Sequence, residues 1–226
     1  NAMTRLATPM PEPRFAQING IRMAYYEAGP RVGTPIVLCH GFPEFSYSWR
    51  WQIAALAAAG RWVIVPDQRG YGLTDRPEAV EDYDMAHLTG DLVGLLEHLG
   101  VEKAVFCGHD WGGLVVWQLP LMHPDRVAGI VGLNTPFLPR LPVDPITMFR
   151  HAFGEDTYIV HFQKPGVADA QLAADVDRTM RYFMRKPTGV QAAFTSGETS
   201  GRSLALQDGL ARYDVADDSS QLLAPE

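Results

Sequence analysis

Four short apolar runs constrain this chain more than any other feature: Pro35-Ile36-Val37-Leu38-Cys39, Trp62-Val63-Ile64-Val65, Ala104-Val105-Phe106-Cys107 and Val127 to Leu133. Each is far shorter than a membrane span and lacks the alternation of a strand with one wet face. Such runs read as parallel strands buried on both sides. Between them lie segments of helical pattern: Tyr47 to Ala59, stopped by Gly60, Met85 to Leu99, stopped by Gly100, and Leu114 to Met122. Upstream, Phe15 to Ile18 and Ile21 to Tyr26 flank Asn19-Gly20, a pair suited to the two positive-φ positions of a tight hairpin turn. A hairpin followed by repeated strand–helix units predicts an α/β fold, a mostly parallel sheet with helices on both faces.

The alternation stops after Asn134-Thr135-Pro136. The rest of the chain has proline-broken openings, helical patches near Asp169 to Arg185, and a Gly/Ser/Thr-rich passage from Thr195 to Ser203. No apolar strand run recurs, so a domain boundary is expected near Phe137, giving segments 1–136 and 137–226. With 46% hydrophobic residues the chain can build a core, and its net charge of −7 argues against nucleic acid as a partner. No stretch is apolar enough to span a membrane. The start, Asn1-Ala2-Met3-Thr4, resembles the scar of a removed tag rather than a signal peptide, so a cytoplasmic protein is expected. Cys39 and Cys107 lie in apolar runs and read as free buried thiols. No histidine pairs with Cys or carboxylate at a metal spacing, so neither metal nor other cofactor is expected.

Chemistry concentrates at strand exits. Gly108-His109-Asp110-Trp111-Gly112-Gly113 joins a strand to a helix in the small-x-nucleophile-x-small form of a nucleophile elbow, with Asp where Ser is commoner. The glycines answer crowding, because a tight, strained turn leaves no room for side chains beside the nucleophile. The helix N-terminus stabilises negative charge there, and a carboxylate attacks an alkyl carbon without help from a base. The plainer alternative is an Asp capping a helix in a Gly-rich turn. His40-Gly41-Phe42-Pro43 ends another strand, and Phe42-Pro43 is a candidate cis peptide. The N–H groups of Phe42 and Trp111 would then form a two-donor oxyanion hole; an ordinary His-Gly turn is the other reading. The loop Asp67 to Pro77 lacks the lysine pattern of a phosphate-binding loop and reads as structural, braced by Asp67, Arg69 and Asp75.

Together, His40-Gly41-Phe42-Pro43-Glu44, Asp67-Gln68-Arg69-Gly70-Tyr71-Gly72, the Asp110 elbow and Leu133-Asn134-Thr135-Pro136-Phe137 resemble the epoxide hydrolases of the α/β-hydrolase superfamily. Phe162 to Ala168 is similar to the cap motif of the soluble branch. The resemblance implies an α/β-hydrolase core carrying an inserted helical cap. It implies that Asp110 opens an epoxide to a diol through an aspartyl ester, and that Tyr158, a cap tyrosine, protonates the epoxide oxygen. Phe42 and Trp111 would form the oxyanion hole, and Phe42, Pro43, Trp111, Phe137 and Tyr158 would line the substrate. Partners are then a small apolar epoxide and water, with no nucleic acid and no membrane; a homodimer is left open.

Haloalkane dehalogenases share the Asp nucleophile but commonly place an Asn donor where Phe42 stands. Fluoroacetate dehalogenases carry Arg and an acid at the positions of Trp111 and Asn134. A non-catalytic binding protein of the same fold is the third reading. The family's second cap tyrosine, its catalytic His and that residue's acid would lie beyond Glu226. The chain therefore reads as a piece of a longer enzyme with an incomplete cap, and by itself it is expected to lack turnover.

Overall fold

A computed structural model describes residues 10–184 and Leu210. These fall into two compact units that divide between Phe137 and Leu138. The first holds a six-stranded sheet: β1 (Arg14–Ile18), β2 (Ile21–Ala28), β3 (Ile36–Cys39), β4 (Val63–Pro66), β5 (Ala104–His109) and β6 (Val127–Leu133). The strand order is β1-β2-β4-β3-β5-β6. The hairpin forms as expected, with Ile18 opposite Ile21 across an Asn19-Gly20 turn in which both residues have positive φ. β2 also pairs antiparallel with β4, while β4, β3, β5 and β6 run parallel.

Helices cover both faces because the buried strands point alternate residues to opposite sides. Val37, Cys39, Ile64 and Phe106 pack with Leu92, Leu95 and Leu96 of α2 (Met85–His98) and with Val115, Val116 and Leu119 of α3 (Trp111–Met122). Leu38, Val63, Val65 and Cys107 pack on the other side, with Trp49 and with Ile53 of α1 (Arg50–Ala58). The two cysteines are free and buried, one in each layer. The helix expected over 47–59 begins as a 3-10 turn, Ser46–Trp49, before α1. The helix expected from Leu114 starts three residues earlier, at Trp111, because the elbow turns straight into it. Pro120 lies inside α3, which continues to Met122. Late in a twelve-residue helix the missing N–H leaves the following turn formed, and His123 N–H reaches Leu119 O at 2.7 Å.

In the second unit the elements among the described residues are helices. Prolines after residue 136 suggest a broken passage, yet Pro145 opens a helix, α4 (Pro145–Phe153), which the sequence reading lacked. At the first helical position proline has no intrahelical N–H to lose, and Asp144 caps the helix by accepting from Thr147 N–H at 2.8 Å. α5 (Tyr158–His161), α6 (Val167–Ala173) and α7 (Val176–Phe183) come next. Tyr182 and Leu210 are buried there, with Tyr158, Phe162, Leu172 and Phe183 packed against them. The Thr195–Ser203 passage and the first four residues lie outside the described residues.

The loop after β4 is braced as read from sequence. Asp67 accepts from Ser46 N–H and Leu73 N–H, both at 3.0 Å, and Asp75 accepts from Arg22 N–H at 2.8 Å. Arg69 makes a two-bond pair with Asp91 of α2 at 2.7 and 2.8 Å, with both side chains only 2% exposed. Asn19 of the hairpin turn donates to the same carboxylate at 3.2 Å. Breaking such a pair from one side leaves a buried uncompensated charge. Arg69→Met should therefore destabilise the chain to urea by about 3–5 kcal/mol, and Arg69→Met/Asp91→Leu should recover most of that loss. A double variant as unstable as the single one would assign the cost to packing instead.

Candidate active site

β3 occupies the middle of the parallel region, with β4 on one side and β5 on the other. The crossovers leaving its neighbourhood therefore diverge, the arrangement that in open α/β sheets places the ligand site beyond the carboxyl ends of the two strands, here β3 and β5. The two strands are in register, Cys39 opposite Gly108, so their exits bring Phe42 and Asp110 together. Phe42 N–H donates to Asp110 Oδ1 at 2.9 Å. The Phe42-Pro43 peptide is cis.

Asp110 has φ 53° and ψ −119°, a conformation that costs a non-glycine residue on the order of 1–3 kcal/mol. Surrounding bonds hold it there. Its N–H donates to Leu133 O at 3.3 Å, and its carbonyl accepts from Leu114 N–H at 3.2 Å and Thr135 Oγ1 at 2.9 Å. The flanking glycines are sterically required: a Cβ on Gly108 would collide with the Gly112 carbonyl, and one on Gly112 with the carbonyls of Cys39 and His40. Although Asp110 stands at the N-cap position of α3, its side chain makes no capping bond. The simple-cap alternative therefore fails.

Trp111 is the first residue of α3 and is 47% exposed. Pro43 follows Phe42 in the same turn. Phe137 lies beyond β6, with its ring edge-on to Trp117 of α3 at 5.9 Å. Tyr158 belongs to the second unit, where it opens α5 and meets Phe162 edge-on at 5.7 Å. Asp110, Phe42, Pro43 and Trp111 thus come together at two strand exits of the first unit.

Two neighbours of the site carried no role in the sequence reading. His40 is fully buried. Its Nε2 accepts from Gln68 N–H at 3.0 Å, which leaves Nδ1–H to donate to Gly41 O at 3.0 Å and fixes the neutral tautomer. Burial pushes its pKa below the usual imidazole value. Tyr71 packs edge-on against His40 at 4.9 Å; burial, helped by the charge of Asp110, pushes its hydroxyl up to about 12. The available signal was Tyr71's place inside a glycine-flanked loop read only for its charged residues. Among the described residues no group of three His, Cys, Asp or Glu could hold a metal, and no helix is long and apolar enough to cross a membrane.

A family model for the alpha/beta hydrolase fold matches residues 34–220. The chain is similar to epoxide hydrolase A of Mycobacterium tuberculosis (strain ATCC 25618 / H37Rv), 53% identical over 186 residues, covering 81% of this chain and 58% of that protein. It is 45% identical over 167 residues to bifunctional epoxide hydrolase 2 of Sus scrofa, covering 74% of this chain and 30% of that one. Among solved structures, epoxide hydrolase A from Mycobacterium thermoresistibile superposes with a TM-score of 0.77 at 51% identity, covering 82% of this chain and 59% of that one. The chain thus spans well under two thirds of the length of these relatives.

The neutral state of His40 has a consequence for stability. A histidine whose folded pKa is lowered contributes stability above the ordinary imidazole value and loses it as pH falls through the lowered one. His40→Asn should cost about 1–3 kcal/mol in mildly alkaline solution, where it strands the Gln68 N–H. The gap between wild type and variant in urea midpoint should narrow on acidification; a gap that widens would mean His40 is charged in the fold.

Proposed function

The chain belongs to the α/β-hydrolase fold family, and on that footing we propose that it is the nucleophile-bearing part of an epoxide hydrolase. The observation that carries the reading is Asp110, held at positive φ on the elbow, its carboxylate uncommitted to the helix and facing the Phe42 N–H. The similarity to proteins named epoxide hydrolase supports the substrate class.

In the proposed reaction an Asp110 oxygen attacks an epoxide carbon, the C–O bond of the ring breaks, and the oxygen takes a proton from the hydroxyl of Tyr158. The product of this step is an alkyl ester on Asp110. Water then adds to the ester carbonyl, and the N–H groups of Phe42 and Trp111 stabilise the oxyanion that develops. Collapse returns the carboxylate, the added hydroxyl's proton passes to the departing oxygen to release a vicinal diol, and the proton taken from water by the base restores the Tyr158 hydroxyl. The water attack needs a base, and we assign none of the chain's seven histidines to it. His40 is committed to Gln68 and Gly41, and His161 lies 3.0 Å from Gln171 Oε1. Residues 137–226 are read as the cap, supplying Tyr158. We assign Phe42, Pro43, Trp111, Phe137 and Tyr158 to substrate binding, an apolar set suited to a small apolar epoxide. The reading places the enzyme in the cytoplasm and needs no cofactor.

The test is chemical. Incubation of the chain with styrene oxide should add one equivalent of the epoxide's mass, and peptide mapping should place it on Asp110. Asp110→Asn should abolish the adduct while leaving the unfolding midpoint little changed. Tyr158→Phe should slow adduct formation by roughly 10²-fold, the scale of a lost general acid. An adduct elsewhere, or one that survives Asp110→Asn, would overturn the assignment.

A further inference from the structure

Three strand exits meet beside Asp110, and one side chain touches all of them. His109 is the last residue of β5. Its Nδ1 lies 3.1 Å from Glu44 Oε2, in the turn after β3, and its Nε2 lies 3.1 Å from Asn134 Nδ2, just beyond β6. The same Glu44 oxygen accepts from Gly41 N–H at 3.4 Å, while Glu44 N–H donates to Gly41 O at 3.1 Å. The 41–44 turn is thereby closed by backbone and side chain together. Phe42, inside that turn, supplies the N–H that reaches Asp110.

We propose that His109 is a positioning residue: through Glu44 it holds the 41–44 turn so that Phe42 N–H stays on the Asp110 carboxylate, and Glu44 sets which imidazole nitrogen carries the proton. The pair is not a loose surface contact. The side chains of His109 and Glu44 are 29% and 18% exposed, so solvent screens them less than a surface ion pair. A carboxylate only accepts, so Nδ1–H must be the donor to Glu44. In neutral His109 the free Nε2 then accepts from the Asn134 amide N–H. In the protonated ring both nitrogens donate, and the Asn134 amide must turn to present its oxygen.

The charged groups facing this imidazole are Glu44 from the turn after β3 and Asp110 from the elbow; His40, just beyond β3, is neutral. The hydrogen bond that His109 donates to Glu44 and the two negative charges outweigh burial and raise the pKa of His109. Glu44 is held below the usual carboxylate range, since His109 and the Gly41 N–H together overcome its burial. By the sign of the His109 shift, the ion-pair contribution is complete below the ordinary imidazole value and is lost as pH rises through the raised one.

The test tracks the ring and the amide in one NMR titration of isotopically labelled chain. The Phe42 amide proton should titrate with the His109 midpoint, and in Glu44→Gln the His109 midpoint should fall and the Phe42 response should vanish. A Phe42 amide indifferent to His109 in wild type overturns the proposal, and that measurement needs no variant to fold. A second arm measures the rate of Asp110 alkylation by styrene oxide across the imidazole range, and this arm alone rests on the proposed function. His109→Gln should slow alkylation roughly tenfold and remove its imidazole-range inflection, the scale of one hydrogen bond to a charged group. Wild-type rate and pH profile in that variant would also overturn the proposal. If wild type itself is not alkylated, the nucleophile reading fails, while the amide titration still decides the role of His109.

Discussion

Everything at the carboxyl ends of the strands depends on how closely the backbone of Gly112 passes the carbonyls of Cys39 and His40. That approach locks the start of α3 against the exit of β3, with no side chain between them. It determines where β5 must turn, forces Asp110 into positive φ, and carries its carboxylate to the Phe42 N–H. The strain at Asp110 persists because the bonds to Leu133, Leu114 and Thr135 leave its backbone no other place. Close packing and a reactive geometry are here one constraint.

Two histidines at neighbouring strand ends have been pushed in opposite directions. His40 is enclosed by backbone partners and apolar surroundings, so desolvation dominates and the ring stays neutral. His109, less enclosed and bonded to Glu44, becomes more basic. The difference comes from partners rather than from residue type, since both sit at the ends of short apolar strands. A neutral ring in one position lets Gln68 N–H find an acceptor, and a basic ring in the other balances the acids clustered around the elbow.

Periodicity and punctuation made the first unit legible. Continuous apolar runs, Asn19-Gly20 and the glycine stops specified the sheet, because those signals are local and the core demands them. The elbow was legible for the same reason: Gly108 and Gly112 mark crowding that can be read without knowing what crowds them. The loop 67–77 revealed its brace but not Tyr71, whose neighbours His40 and Asp110 lie on other strands. Glu44 stood inside a recognised motif, yet its partner His109 is 65 positions away, and no spacing rule reaches that far. In the second unit the reading was poorer. Helix α4 was hidden by Pro145, a residue that ends helices from the interior but begins them from the first position.

The placement of the two thiols has a use of its own. Cys39 and Cys107 sit on adjacent strands, Leu38 opposite Cys107 and Cys39 opposite Gly108, but they project into different layers. Burial pushes both above the ordinary thiol value, with the charge of Cys107 adding to the effect at Cys39, so neither reacts until its own layer opens. Thiol-exchange kinetics on this chain would therefore run two independent clocks. Cys39 would time the parting of α2 and α3 from the sheet, and Cys107 the lifting of α1, so native-state openings on the two faces could be timed separately without a probe being introduced.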